Sequence, residues 1–384
     1  MRLLHTSDWH LGRSFHRVGL LDAQAAFVDH LVETVRAERV DVVVVSGDVY
    51  DRALPPVDAV ELAGSALSRL LGCGVRVVVT SGNHDSASRL GFAARLIDAA
   101  GIHLRTDPAG VGCPVLIGDG HGDVAFYGLP YLEPDLVCTG WEVPRRSHQA
   151  VLNEAMRRVR ADLGTRRPGT RSVVLAHAFV TGAVRSDSER DISVGGVQSV
   201  GRETFDGVDY TALGHLHGRQ TLTPALRYSG SPIAYSFSER HHLKGSWLVD
   251  LGAHGLQRAE FVPAPVPRSL ATIRGTLDAL LRDRTHAGAE QSWVQATVTD
   301  ARRPRGAMEM LRQRFPHLLV LSFEPAGALD PQAVEQRRYA RGRTDAQSVA
   351  DFYAEVAGRP IEDAEAALVQ LGCDACRISE GAAS

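Results

Sequence analysis

Over roughly the first two thirds of the chain, apolar residues fall into short β-branched runs separated by longer stretches with apolar positions at helical spacing. The runs Arg2 to Thr6, Asp41 to Ser46, Val75 to Thr80, Val124 to Tyr127, Ser172 to Ala176 and Tyr210 to Leu213 predict strands. Several are apolar at successive positions, as expected of strands covered on both faces. Between the first three, Leu20 to Glu38 and Val57 to Leu71 predict amphipathic helices. This alternation predicts a layered α/β domain. The later strands come with hairpin-like segments such as "RYSGSP" and "LKGSWLVDL", so the sheet is expected to be mixed, with more than one layer of strands.

The stretch "VPAPVPR", Val262 to Arg268, carries three prolines in seven residues and reads as a linker. Beyond it, Ser269 to Phe323 reads strand, helix, strand, helix, strand, a small α+β unit. After the arginine-rich connection "EQRRYARGR", Val349, Phe352, Tyr353 and Val356 lie on one face of a helix that Gly358 and Pro360 end. Ile361, Ala364, Leu368 and Leu371 mark a second, short helix. The expected domains are 1–262, 268–328 and a helical pair at 340–373. Two readings of that pair stay open: packing on its own domain, or docking a partner.

Composition narrows the class. A chain of 384 residues, 44% hydrophobic, can bury a large core and forms more than one domain. No window approaches the roughly 20 apolar residues of a membrane span, and the start, Met1-Arg2-Leu3-Leu4-His5, runs straight into a strand, which predicts a cytoplasmic protein. Five cysteines without regular spacing give no disulfide framework, and Cys373 and Cys376 lack two further ligands for a structural zinc. The net charge of −3 offers no overall attraction to nucleic acid, so any such binding would be local, metal-mediated or shared with a partner. Lys244 is the sole lysine; the other basic residues are arginines.

Five polar clusters follow five of the predicted strands. They are "TSDWHLG" with Asp8 and His10, "SGDVYDR" with Asp48 and Asp51, "SGNHDS" with Asn83 and His84, "VLAHAF" with His177, and "ALGHLHG" with His215 and His217. Asp8 and His10 are two apart and would share one face of an extended segment, as would His215 and His217. Gly82 would let the backbone turn sharply before Asn83. One histidine at a strand end is ordinarily a satisfied structural residue. Seven such groups, Asp8, His10, Asp48, Asn83, His177, His215 and His217, meeting at the carboxyl ends of adjacent strands, would be hard to satisfy without metal.

If Asp48 bridges two divalent cations, two carboxylates face four positive charges, because Asn83 and the histidines coordinate while neutral. The resulting net charge of +2 suits an anionic substrate. Mixed nitrogen and oxygen ligands favour Mn²⁺, Fe²⁺, Co²⁺ or Zn²⁺ over Mg²⁺ or Ca²⁺. Two such ions stabilise the attacking and leaving oxygens of an in-line displacement at phosphorus, which implies phosphoester hydrolysis. His84, beside Asn83, is expected to protonate the leaving oxygen, with the Asp51 carboxylate orienting its imidazole. Asp85 is the competing orienter and also suits a turn-capping role.

The ordered set D-x-H, G-D-x-x-D, G-N-H-D, a lone H and G-H-x-H resembles the calcineurin-like metallophosphoesterase superfamily. With "LLHTSDWHLGR" at the start and "YSGSPIAYSFSE" from Tyr228 to Glu239, the chain is similar to the SbcD family of bacterial nuclease subunits. That resemblance implies a small capping domain and a C-terminal helical pair. It implies one metal held by Asp8, His10, Asp48 and His217, another by Asp48, Asn83, His177 and His215, and His84 as the catalytic histidine. It further implies Mn²⁺, 3′-to-5′ exonuclease and single-strand or hairpin endonuclease activity on DNA, and an SbcC-type ABC ATPase with a coiled coil to which the C-terminal helices dock. A homodimer within a heterotetramer is expected.

"GDVYDRA" partly resembles the G-D-x-x-D-R-G of protein phosphatases, which makes Arg52 a candidate phosphate contact; the second glycine is missing. Arg13, Arg89 and Arg185 also lie near the motif loops, as solvated arginines or backbone contacts. The competing functions are a small-molecule phosphodiesterase or phosphomonoesterase on the same metals, and a DNA-end scaffold that no longer turns over.

Overall fold

The computed structural model describes residues 1–193, 199–325, 344–357 and 359–381. The arginine-rich connection and Gly358 lie outside them.

Two six-stranded mixed sheets form the larger unit. The first runs in the order Gly255–Pro263, Gly245–Gly252, Arg2–Thr6, Val42–Ser46, Arg76–Thr80, Ile102–Arg105. Its last four strands are parallel, and the hairpin formed by the first two adds an antiparallel edge against Arg2–Thr6. The second runs Gln220–Thr223, Leu226–Tyr228, Tyr210–Gly214, Arg171–His177, Gly122–Gly128, Val115–Asp119. Its four inner strands are mutually parallel.

Strand alternation sorts the core into layers. Leu3, Val42, Val44 and Val78 of the first sheet pack against Val124, Phe126, Val173, Leu175 and Ala212 of the second. The opposite face of the first sheet, with Leu4, Val43, Val45 and Val77, receives Phe27, Val28 and Leu31 of helix Leu21–Ala37 and Ala63, Ala66 and Leu70 of helix Val57–Gly72. On the outer face of the second sheet, Ala125, Tyr127 and Val174 pack against Val151, Ala155 and Val159 of helix His148–Leu163. The result is a four-layer α/β/β/α sandwich. His5 sits between the sheets as a structural residue, with Nδ1 against the Tyr210 hydroxyl at 2.9 Å and Nε2 against the Leu213 carbonyl at 3.1 Å.

Arg171 opens a central strand yet is only 2% exposed. It donates two hydrogen bonds to the Asp119 carboxylate, at 2.6 and 3.0 Å, and others to the carbonyls of Gly122 and Gly252. The chain's terminal ammonium adds an ion pair to Asp119 at 2.8 Å. The Arg171 guanidinium, helped by that ammonium, holds the Asp119 carboxyl well below the usual carboxylate range. A depressed folded value stabilises the fold above the unfolded pKa of about 3.9, and this is lost as pH falls through the folded value. Asp119→Ala is expected to cost at most about 3 kcal/mol in urea unfolding at neutral pH, the lower end for a broken buried pair, because Asp119 is itself only half-buried and two carbonyls still hold Arg171. The gap between variant and wild type should narrow in strong acid.

Residues 270–323 carry strands Leu270–Gly275, Trp293–Val298 and Leu318–Phe323 in that spatial order, with helices Leu277–Arg282 and Ala307–Arg314 between them in sequence. Leu270, Trp293, Leu319 and Val320 pack against a cluster of Phe15, Leu20, Ile233, Tyr235 and Phe237. Contacts divide the described chain into two compact units, one of Met1–Arg274, Asp278–Thr297 and Gly306–Ser322, the other of described residues from Gly275–Leu277, Val298–Arg305 and Phe323–Ser384. The second contains helices Asp345–Ala357 and Asp363–Gly381, whose Tyr353 hydroxyl donates to Glu365 at 2.6 Å. Phe352, Leu368 and Leu371 are each more than half exposed. Among the described residues, no helix is long and apolar enough to cross a membrane.

Candidate metal centre

The parallel strands of both sheets deliver their carboxyl ends to one place. Asp8, Asp48 and Asn83 follow strands Arg2–Thr6, Val42–Ser46 and Arg76–Thr80 of the first sheet; His177 ends strand Arg171–His177 and His215 follows Tyr210–Gly214 in the second. The expected single sheet edge is therefore a seam between two sheets. The pairing of Asp8 with His10 is not extended either. Asp8, His10, Asp48 and His215 all have left-handed backbone, with φ of 54°, 45°, 50° and 98°. Such conformations cost about 1–3 kcal/mol each and cluster where function demands an exact side-chain direction. Here the loops hold them: Asp8 N–H donates to the Gly47 carbonyl, His10 N–H to Asp48 and Leu11 N–H to Val49.

Gly82 serves for a different reason than a left-handed turn, since its φ is negative or extended. A Cβ there would collide with the Asp48 carboxylate and sit 2.5 Å from its backbone nitrogen. The missing side chain is what lets Asp48 reach the centre. Gly47, at φ +84°, likewise leaves room for the His177 ring.

Every candidate ligand is buried apart from half-buried Asn83. His10 Nε2 faces His217 Nε2 at 3.1 Å and the Asp48 carboxylate at 3.6 Å. His177 Nε2 lies 3.3 Å from Asp48 Oδ2 and 3.0 Å from Asn83 Oδ1, and His215 Nδ1 is 3.2 Å from the same Asn83 oxygen. Three overlapping sets place their ligand atoms within 4.8 Å of one another: Asp8, His10 and His217; His10, Asp48 and His84; and Asp8, Asp48 and His177. His10 Nδ1, Asn83 Nδ2 and His215 Nε2 are buried with no hydrogen-bond partner. Opposed ring nitrogens, buried carboxylates and orphaned polar atoms are what a cation site leaves behind, and the nitrogen-rich donor set fits a divalent transition metal.

Electrostatics agree with that reading. Burial pushes the Asp8 carboxyl up to about 6, with nearby imidazoles pulling the other way. Burial would also raise Asp48, but the imidazoles of His177, His10 and His84 together outweigh this and hold it well below its ordinary range. Burial lowers His177, yet Asp48 and Asp8 carry it up to about 9. A cation at this point would satisfy the same buried carboxylate.

His84 lies at the rim. Its backbone N–H donates to Asp48 Oδ1 at 2.8 Å, and its ring stands edge-on to His10 at 4.7 Å between centroids. The expected carboxylate contact from Asp51 is absent. His84 Nδ1 instead lies 2.7 Å from the Asp51 main-chain carbonyl, while the Asp51 carboxylate faces His10 Nδ1 and Arg13 Nε, both at 3.7 Å. Asp51 thus acts on His84 through its backbone, because the turn after Asp48 aims the side chain at the neighbouring loop. Asp85 takes the turn role: its carboxylate accepts from the N–H groups of Val49, Tyr50 and Gly82 at 2.9–3.1 Å. Burial lowers the His84 imidazole, only partly offset by Asp48.

A family model described as calcineurin-like phosphoesterase matches residues 1–219. The chain belongs to the calcineurin-like phosphoesterase family. In this phosphoesterase, residues 266–357 also match a model described as the type 5 capsule protein repressor C-terminal domain. The chain is 29% identical over 325 residues to the D subunit of the nuclease SbcCD from Staphylococcus saprophyticus, covering 84% of each protein. It is also similar to the solved structures of the GAP50 inner-membrane-complex anchor of Plasmodium (13% identity, TM-score 0.43, 86% and 99% of the two chains) and a dimetal phosphatase from Danio rerio (15%, 0.39, 69% and 99%).

Of the candidate phosphate-binding arginines, the Arg52 side chain is 63% exposed and lies 3.7 Å from Asp51. Arg89 donates to the Ala53 carbonyl at 3.2 Å and Arg185 to Glu189 at 3.5 Å. Arg13 is tied down, donating to the Ser188 carbonyl and stacking on the Tyr235 ring at 4.8 Å. Sequence reasoning missed the residues behind His217: buried Glu189, Glu239 and Lys244, and half-buried Ser188. One signal pointed to them, a lone lysine five residues after a glutamate.

Proposed function

We propose that the chain is the nuclease subunit of a bacterial DNA end-processing complex, hydrolysing phosphodiester bonds as a 3′-to-5′ exonuclease and a single-strand or hairpin endonuclease. The carrying observation is the convergence of two carboxylates, Asn83 and four imidazoles at one seam, joined to likeness with a nuclease subunit along most of the chain. In this reading Asp8, His10, Asp48 and His217 hold one ion, and Asp48, Asn83, His177 and His215 the other, with Mn²⁺ as the preferred metal. Bound there, the ions supply a nucleophilic water at neutral pH and stabilise charge on the oxygens at phosphorus.

The chain's own groups do the rest. Asp48 sits between the two sets and orients both His84, through its N–H, and His177. His84, its Nδ1 proton given to the Asp51 carbonyl, presents Nε2 to the leaving oxygen. Burial disfavours the imidazolium, and an arriving anionic phosphodiester restores it. The exposed apolar residues of the C-terminal helices support docking of an SbcC-type coiled-coil ATPase, with 268–328 as the capping domain. A homodimer with two ATPase chains, working in the cytoplasm, completes the proposal.

The deciding experiment is Mn²⁺-dependent nucleotide release from linear and hairpin DNA by the purified chain, alone and with the ATPase partner, beside a nitrophenyl phosphodiester. DNA cleavage enhanced by the partner is the expected result. Turnover of only the small ester would move the protein to small-molecule hydrolysis.

A further inference from the structure

We infer that Glu239, acting through the Ser188 hydroxyl and anchored by Lys244, sets the tautomer of His217 and so keeps its Nε2 free for a cation. The inference rests on the metal-centre reading only for its consequence; the tautomer itself is a property of the chain.

The proton count leads there. Glu239 ends the short turn Phe237–Glu239, and its side chain is fully buried. An ionised carboxylate can only accept. One of its oxygens accepts from Lys244 Nζ at 2.5 Å and from Tyr235 N–H at 3.2 Å; the other accepts from Ser188 Oγ, while Ser186 Oγ, 3.2 Å away, has its closer acceptor in the Glu189 carboxylate at 2.8 Å. The Ser188 proton is thereby committed to Glu239. Its oxygen, 2.5 Å from His217 Nδ1, must accept. His217 therefore carries its proton on Nδ1, and the lone pair sits on Nε2, the atom facing His10 Nε2 at 3.1 Å.

Lys244 makes the carboxylate dependable. It is 6% exposed, and its three protons have three acceptors: Glu239, the His217 carbonyl at 2.7 Å and Ser231 Oγ at 2.9 Å. A compact ammonium satisfies three convergent acceptors where a planar guanidinium fork would not, which accounts for the one lysine in a chain otherwise using arginine. Glu189 holds the backbone of the same histidine, accepting its N–H at 2.8 Å. By contrast, His177 Nδ1 rests directly on the Ser46 carbonyl at 2.9 Å. Carboxylates and carbonyls behind a ligating histidine fix ring and tautomer in this way, and their loss typically costs about 10–100-fold in metal affinity. Ser188 and Glu239 are positioning residues.

The test uses the full chain and two readouts. Imidazole ¹⁵N–¹H spectra of the metal-free protein at alkaline pH should show His217 protonated on Nδ1, with the proton moving toward Nε2 in Ser188→Ala; His217→Gln identifies the signal. Calorimetric titration with Mn²⁺ should show one binding step weakened about 10–100-fold in Ser188→Ala and Glu239→Gln and retained in Ser188→Thr, which keeps the hydroxyl. Ser188→Ala leaves the Glu239–Lys244 pair in place, so thermal melting should stay close to wild type even if Glu239→Gln loosens the fold. An Nε2-protonated His217 in the wild type, or unchanged Mn²⁺ affinity in Ser188→Ala, would overturn the inference. Wild-type protein that binds no divalent ion would instead sink the metal-centre reading, and the spectra would still decide the tautomer.

Discussion

Asp48→Ala is expected to abolish phosphodiester hydrolysis, lowering Mn²⁺-supported kcat/KM by at least about 10³-fold, and to strip metal from the purified chain. The magnitude follows from the carboxylate's position. Asp48 is 2% exposed, with His10 Nε2 and His177 Nε2 within 3.6 Å of one oxygen and the His84 N–H on the other. Its removal leaves Asp8 as the one carboxylate among the proposed ligands. Two divalent ions then face a single negative charge in a buried site, and their electrostatic stabilisation at phosphorus, several kcal/mol, goes with them. Metal counting by mass spectrometry beside steady-state kinetics checks both halves. An alanine variant that keeps two ions and cleaves DNA would remove Asp48 from its bridging role.

His84→Ala is expected to do the opposite to metal and the same to turnover: ions retained, DNA cleavage reduced about 10²- to 10⁴-fold, the range for losing a positioned general acid. The ring is held by the Asp51 carbonyl, and the bond to Asp48 comes from the His84 backbone N–H, which alanine keeps, so loss of the ring leaves the Asp8, His10 and His217 set and Asp48 in place. A nitrophenyl phosphodiester distinguishes the role. Nitrophenolate leaves without a proton, so the variant should lose far less activity on that ester than on DNA. Equal losses on both would make His84 a positioning group, and unchanged DNA cleavage would take it out of the chemistry.

The strands and first two helices were legible because apolar periodicity is local. The structure has strand Val42–Ser46 where Asp41 to Ser46 was expected, and helix Leu21–Ala37 where Leu20 to Glu38 was. The strand-helix-strand-helix-strand order of 269–323 also matches, since each element has its own pattern and turn residues. Less visible were helix His148–Leu163, whose polar face dominates its composition, and strand Val115–Asp119, an edge strand with alternating burial. Linear periodicity carries no information on which sheet a strand joins, so the two-sheet sandwich was foreseen only as layering.

By itself, then, the sequence determined the kinds of groups available: carboxylates, imidazoles and an asparagine placed after strands, in an order that also carries the family resemblance. Chemistry by residue type survives without coordinates, because a buried set of such ligands has few uses other than metal. Only the tertiary structure decided how they meet. Parallel strands from two sheets bring Asp48 and His177 within 3.3 Å across 129 residues, and left-handed turns, not strand alternation, aim Asp8, His10 and His215. It also decided which atom of Asp51 serves His84, and it placed Ser188, Glu239 and Lys244 behind His217. Those roles depend on direction and distance between residues far apart in the chain, and no local pattern encodes them.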